Sequence, residues 1–476
     1  MYSGARNKKV FEYFEEICKI PHGSGNMEAI SDYCMEFAKA HSLEAYKDEA
    51  CNVIIYKPAS EGFEKKEPII LQGHLDMVCQ KDEGTDIDFE KDGLTIFRDG
   101  DFIKADGTTL GADNGIAVAM VLAILDDEKL LHPPIEAVFT TDEEIGMVGA
   151  LKLDFSKLSA KRMINIDSED AKKVTVSCAG GSDFSVCIPL NRIKAQGEAV
   201  RLCAKGLKGG HSGVEINSGR ENANIIMGRI LTHLYDTVGI EIASIDGGDK
   251  GNAIPVSCTA KLLIKDRDSF QSALNECSDA IAKEIKGRES LCVEAEYNGV
   301  TEEDVFISDI AKKLIYILLR TPNGVTEMSS EIENLVETSL NLGIVKTEKD
   351  SMTMLYTLRS NKSHSLAELA DKLEKFFGVI SCEITKSGHY PPWEYKKDSV
   401  LRERYIKEYS EKIGFAPEPE SIHAGLECGV FASAIEDFDC ISIGPELYDI
   451  HTTKERLSVS STDSIYEIVV SLLEKL

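Results

Sequence analysis

Ile69-Ile70-Leu71-Gln72-Gly73-His74-Leu75-Asp76-Met77-Val78 is an apolar run that ends in His-x-Asp. Its β-branched start and short length read as a buried strand. On a strand, residues two apart face the same way, so His74 and Asp76 share a side. A His at a strand end with a carboxylate at i+2 suits metal ligation, but taken alone the pair is better explained by a hydrogen-bonded structural His. Outward from this run, Val53-Ile54-Ile55-Tyr56, Ile135–Thr140 and Met163-Ile164-Asn165-Ile166 read as further strands. Between and around them lie helical patterns. Val10, Phe11, Phe14, Ile17 and Cys18 fall on one helical face. Asn26 is placed to cap a second helix that buries Ile30, Tyr33, Cys34 and Phe37. Residues 116–131 read as a buried helix. Strands alternating with helices predict an α/β domain with a central, mostly parallel sheet covered on both faces.

After about Gly181 the texture changes. Residues 185–190, 200–205 and 257–265 are strand-like and interleave with helices at 221–233 and 270–286. This predicts an inserted α+β domain, and the likeness of 200–287 to 325–377 suggests an internal duplication. Beyond the Pro-rich junction Tyr390-Pro391-Pro392-Trp393, the pattern returns to helix (400–413), strand (440–443) and a final helix (462–476). The expected division is therefore 1–185 and 394–476 as two parts of one domain, with 186–393 inserted. Such an insertion brings the first and last polar motifs to one site.

Composition narrows the function. Across 476 residues, hydrophobic content is 43% and charged content 28%, which excludes disordered and fibrous classes. Lys and Arg total 53 against 81 Asp and Glu, a formal charge of −28, so neither nucleic acid nor an anionic membrane is an expected partner. The 13 Cys are an odd number with no CxxC, which argues against a zinc ribbon or a redox dithiol. The start of the chain lacks the apolar stretch of a signal peptide. No run approaches the ~20 apolar residues of a membrane span. A cytoplasmic location is the expectation.

Four more stretches carry chemistry. Asp106-Gly-Thr-Thr-Leu-Gly-Ala-Asp113-Asn-Gly115 is a polar loop entering a helix, where Asp113 serves as a cap or as a metal ligand. Phe139-Thr-Thr-Asp-Glu143-Glu144-Ile-Gly146 sets three carboxylates after a buried strand; such a run is commonly a solvated loop, but at the carboxyl edge of an α/β sheet it builds sites. Asn165-Ile-Asp167-Ser-Glu169 repeats strand-then-carboxylate, and Ile443-Gly-Pro-Glu-Leu-Tyr-Asp-Ile-His451 adds another His. Two His and at least three carboxylates, all at strand ends of one domain, are about what two divalent ions with a shared carboxylate require.

With these stretches assembled, the chain resembles the M20 metallopeptidase family, and within it subfamily C, the aminoacyl-histidine or cytosol non-specific dipeptidases. Gly73-His-Leu-Asp-Met-Val78, 105–115, 140–150, 165–169, Gly209-Gly-His-Ser-Gly213, Thr321-Pro-Asn-Gly-Val325, 338–343 and His423-Ala-Gly-Leu-Glu-Cys-Gly429 carry the likeness, in order, over almost the whole chain. The resemblance implies two divalent ions, zinc first, with manganese or cobalt as alternatives. Asp113 would bridge them, with Glu144 and His451 on one ion and His74 and Asp167 on the other. Asp76 would orient the His74 side, and Glu143 would be the general base. The Asp113-Asn114 peptide would be cis. The inserted domain would act as a lid. In it, His211 would donate to the oxyanion, Arg359 would take the substrate's free carboxylate, Asn252 would add a polar contact, and His423 and Glu427 would border the site. The resemblance implies a dipeptide substrate, with broad preference including Xaa-His, and admits a homodimer with His211 acting in trans.

Departures from the family pattern are His451-Thr452-Thr453 for His-Ser-Pro, Pro392 for Gly before Trp393, and Ser177 for Gly. They bear on loop shape, not on the ligands. The alternative activity is that of another M20 amidohydrolase, acting on N-acyl amino acids or short peptides. A catalytically silent binding protein would have lost a ligand or the base, yet all six residues His74, Asp113, Glu143, Glu144, Asp167 and His451 are present.

Overall fold

Strand Ile69–His74 is buried at every position, as its apolar start Ile69-Ile70-Leu71 suggests of a strand covered on both faces. The computed structural model describes residues 5–330, 332 and 334–476. The strand lies inside an eight-stranded sheet whose order is Glu44–Lys47, Val53–Lys57, Ile135–Thr140, Ile69–His74, Arg162–Asn165, Asp439–Ser442, Lys173–Cys178 and Glu418–Ile422. Its four middle strands, from Ile135–Thr140 to Asp439–Ser442, run parallel. On either side of them the pairing turns antiparallel, which makes the sheet mixed.

Helix Lys8–Cys18 buries Val10, Phe11, Phe14, Ile17 and Cys18, the face expected from their spacing. Helix Ala112–Asp126 is apolar all round and buries every residue from Asn114 to Leu125. It stops short of the expected residue 131 because Asp127 turns extended and its carboxylate accepts the Lys129 N–H, forming a turn. The second helix, Glu28–Ala40, is preceded by Met27 with no side-chain cap; Asn26 is not its cap, and its amide instead reaches the Glu90 carbonyl. A small antiparallel sheet orders Leu447–Tyr448, Arg456–Ser458, Phe102–Ala105 and Ile96–Asp99.

The chain forms two compact units. The first comprises Met1–Cys178, Pro392–Ser421 and Leu426–Leu476; the second comprises Ala179–Pro391 and Ile422–Gly425. Residue 185 falls inside strand Gly180–Pro189 of the second unit. That unit is built on a nine-stranded antiparallel sheet, with helices Ala223–Thr237, Arg267–Ile285, Ser308–Arg320 and Ser363–Phe377 supplying much of its core. A two-stranded ladder, Gly210–His211 with Ala253–Ile254, sets His211 opposite Ala253. Among the described residues, no helix is long and apolar enough to cross a membrane.

Candidate active site

Five chain segments leave the carboxyl ends of the parallel strands and the small sheet, and each delivers one or two polar side chains. His74 is the last residue of its strand. Its backbone N–H donates to Asn114 Oδ1 at 3.1 Å, and Asn114 Nδ2 donates to the Ile166 carbonyl at 2.7 Å. Asn114 thus pins the His74 strand end to the segment that carries Asp167. The backbone can come this close only because residue 73 is glycine; a Cβ there would lie 2.5 Å from Asn114 Oδ1. The Asp113-Asn114 peptide is cis.

The His74 ring is oriented from behind. Nδ1 lies 3.0 Å from the Asp76 backbone carbonyl, which can only accept, so this nitrogen carries a proton and Nε2 faces forward. Nε2 lies 3.2 Å from Asp113 Oδ1 and 3.5 Å from Asp167 Oδ1. The other oxygen of Asp113, Oδ2, lies 3.2 Å from His451 Nε2, which also meets Glu144 Oε1 at 2.8 Å. Asp113 therefore offers one oxygen to each of two His–carboxylate pairs. Donor atoms of His74, Asp113 and Glu144 lie within 4.8 Å of one another. Imidazole and carboxylate donors at such spacing suit a divalent ion of the zinc, manganese or cobalt type.

Without a cation, protons hold these groups together. Burial opposes a charge on His74, but Asp167, Asp113 and Asp76 keep its ring well above the ordinary histidine range. Hydrogen bonds to Asp113 and Glu144 push His451 up to about 10. Burial raises Asp167 to about 6, whereas the two imidazoles hold Asp113 below the usual carboxylate range despite its burial.

Asp76 does its work through the backbone. Oδ1 accepts the Glu143 N–H at 2.9 Å; Oδ2 accepts the Glu144 N–H at 3.2 Å and the Ser24 hydroxyl at 2.8 Å. One carboxylate thereby fixes the turn that holds both acidic residues. The turn is tight: Asp142 and Met147 have φ of 53° and 57°, and His451 on the facing loop has 60°. Burial, together with Asp167, Glu427 and Glu144, pushes the Glu143 carboxyl well above its ordinary value, against the pull of His74.

Beneath the site lies a polar network the sequence reading did not anticipate. Glu427, fully buried, accepts from Gln72 Nε2 at 2.5 Å and from Thr140 Oγ1 at 2.6 Å, and its Oε1 has no hydrogen-bond partner among the described residues. Gln72 in turn accepts from the Asn165 amide. Gln72 and Asn165 each stand two residues before a carboxylate- or imidazole-bearing position, His74 and Asp167, so strand periodicity was the available signal. Burial raises Glu427 to about 7.

His211, Arg359 and His423 belong to the second unit, together with Asn252, which is exposed. His211 Nδ1 accepts the N–H groups of Gly213 and Val214, at 3.3 and 3.2 Å, so its proton sits on Nε2. Burial and the Arg359 charge lower its pKa, which keeps the ring neutral. Arg359 is buried; Nη1 donates to the Tyr390 hydroxyl at 2.9 Å, and Nε has no hydrogen-bond partner among the described residues. Both ring nitrogens of His423 are engaged, with Ser339 Oγ at 2.7 Å and Asn361 Oδ1 at 3.1 Å. That geometry leaves His423 no free nitrogen for a ligand.

Comparison with known proteins places these residues in context. The model of peptidase family M20/M25/M40 matches residues 70–475. The chain is 34% identical to the cytosol non-specific dipeptidase of Escherichia coli over 471 residues, 98% of this chain and 97% of that one. Its structure is similar to that of the aminoacylhistidine dipeptidase of Vibrio alginolyticus, with a TM-score of 0.91 and 35% identity over 100% of this chain and 98% of that chain. An aminopeptidase from Bacillus cereus shares the fold at a TM-score of 0.59 and 16% identity, covering 99% of each chain.

Proposed function

The chain belongs to peptidase family M20/M25/M40, and from that footing we propose that it is a metal-dependent dipeptidase. The full-length relatives named as dipeptidases support the activity. The observation that carries the reading is the Asp113 carboxylate, with one oxygen toward His74 and the other toward His451. His74 and Asp167 would hold one ion, Glu144 and His451 the other, and Asp113 both. Two such cations, zinc first and manganese or cobalt as alternatives, would polarise the peptide carbonyl and acidify the attacking water.

The chain's own residues do the rest. Glu143, held by its backbone bond to Asp76, takes the water's proton and returns it to the leaving amine. His211 presents Nε2–H as a donor for the developing oxyanion. Arg359, a buried guanidinium whose Nε–H has no partner among the described residues, takes the substrate's free carboxylate, whose distance from the scissile bond distinguishes a dipeptide from a longer chain. Asn252 adds a polar contact. His423 and Glu427 would border the site. The preference is broad and includes Xaa-His. The acidic surface and 13 free cysteines fit a reducing, cytoplasmic setting.

The test is a substrate panel run with zinc, manganese and cobalt: dipeptides including Xaa-His and β-alanyl-His, the matching tripeptides, and N-acyl amino acids. Dipeptides should be cleaved and tripeptides far more slowly. Cleavage of N-acyl amino acids with dipeptides inert would overturn the reading in favour of another amidohydrolase.

A further inference from the structure

We propose that Glu455 is a positioning residue that locks the His451 loop to the Asp113 turn and so sets how tightly the site holds its cation. Glu455 is 3% exposed, and its carboxylate collects four consecutive backbone N–H groups. Oε2 accepts from Leu110 at 2.7 Å and Gly111 at 3.1 Å; Oε1 accepts from Ala112 at 2.9 Å and Asp113 at 3.3 Å. These amides open helix Ala112–Asp126, where N–H groups lack intrahelical partners and the helix dipole favours a negative charge. Gly111, at φ 66°, lets the four amides converge on one carboxylate.

The two loops start from the same small sheet. Arg456 pairs with Lys104, so the chain just before 456 and the chain just after 105 leave side by side. Glu455 then joins them a second time, at the level of the site itself, and its own N–H is tied to the Thr452 carbonyl at 3.2 Å. His451 and Asp113 are far apart in sequence, yet their 3.2 Å approach is framed by this one side chain. Among the described residues the Glu455 carboxylate hydrogen-bonds only to backbone, so it acts through Asp113 and His451. A glutamine would set an NH2 group against donors, and an aspartate would keep the charge but fall short of the amides.

The inference rests on reading Asp113 and His451 as metal ligands. Its test compares the parent, Glu455→Gln and Glu455→Asp by competition with a chromophoric chelator for zinc, alongside circular dichroism of the metal-free proteins. Glu455→Gln should keep its secondary structure and bind zinc about 10–100-fold more weakly, with Glu455→Asp in between. Affinity for Glu455→Gln within about twofold of the parent would overturn the proposal. If Glu455→Gln fails to fold, amide hydrogen exchange on the unaltered metal-free protein decides: Leu110, Gly111, Ala112 and Asp113 should be strongly protected, and exchange at open-loop rates would overturn it. A parent that binds no zinc refutes the metal reading itself, and the proposal with it.

Discussion

The Asp76 carboxylate accepts the backbone N–H of Glu143 at 2.9 Å, so the residue two beyond the proposed ligand His74 also holds the proposed base in place. This separates two roles that substitutions can report apart. Glu143→Gln removes the proton acceptor and leaves every proposed ligand untouched. It should retain metal content and lose at least ~10² in kcat. Asp76→Asn should instead weaken metal binding by about 10–100-fold as the turn carrying Glu144 loosens. Metal analysis and steady-state kinetics on both variants check this; near-normal turnover by Glu143→Gln refutes its role as base.

Gly73→Ala tests the close approach beneath His74. The added methyl would lie 2.5 Å from Asn114 Oδ1 and 2.8 Å from the Ala117 Cβ, in a fully buried setting. Overpacking of this kind should destabilise the fold by about 1–3 kcal/mol. It should also displace Asn114 and lower metal affinity. Denaturant unfolding of the metal-free protein, with a chelator competition, measures both; an unchanged midpoint contradicts the packing argument.

Arg359→Ala should lower kcat/KM for free dipeptides by about 30-fold or more, the equivalent of about 2 kcal/mol, as the carboxylate loses its partner. Dipeptides with an amidated C-terminus should lose much less. Equal losses on both would remove the carboxylate assignment.

His423 gives a pH dependence of stability. Burial, then the Arg359 charge, and then His211 as it too takes up a proton in acid, push its folded-state pKa down to about 3. In the unfolded chain the value is about 6.5. Above pH 6.5 neither state is protonated and the full stability is present. Between about pH 6.5 and 3 the unfolded state binds a proton that the folded state refuses, so stability falls as pH falls. His423→Gln should show a shallower decline over that window than the parent. Identical slopes in thermal or denaturant unfolding would contradict the buried, neutral ring.

The candidate site was legible in the sequence for a physical reason: His74 ends an apolar strand, Glu143, Glu144 and Asp167 each follow one, and polar residues at parallel strand ends stand out against it. Strand Ile135–Thr140 and helix Val400–Ile413 have the bounds their patterns suggest. Long-range partnerships leave no such mark. Glu455 bonds amides more than 340 residues away, and Gln72, Asn165 and Glu427 form a network only when three segments meet. The antiparallel flanks of the main sheet were hidden because strand direction does not alter burial pattern. The short piece Ile422–Gly425, which brings His423 to Ser339 and Asn361, lies in the second unit without any local signal of its own.

The central claim is that two cations shared by Asp113 make this chain a dipeptidase. Chelator-stripped protein titrated with zinc, with dipeptide turnover read at each addition, tests it most directly. The account predicts no turnover without metal, activity rising to a plateau near two equivalents, and loss of both bound equivalents in Asp113→Ala. Undiminished hydrolysis by the stripped protein, or stoichiometric zinc uptake with no dipeptide cleaved, would contradict it.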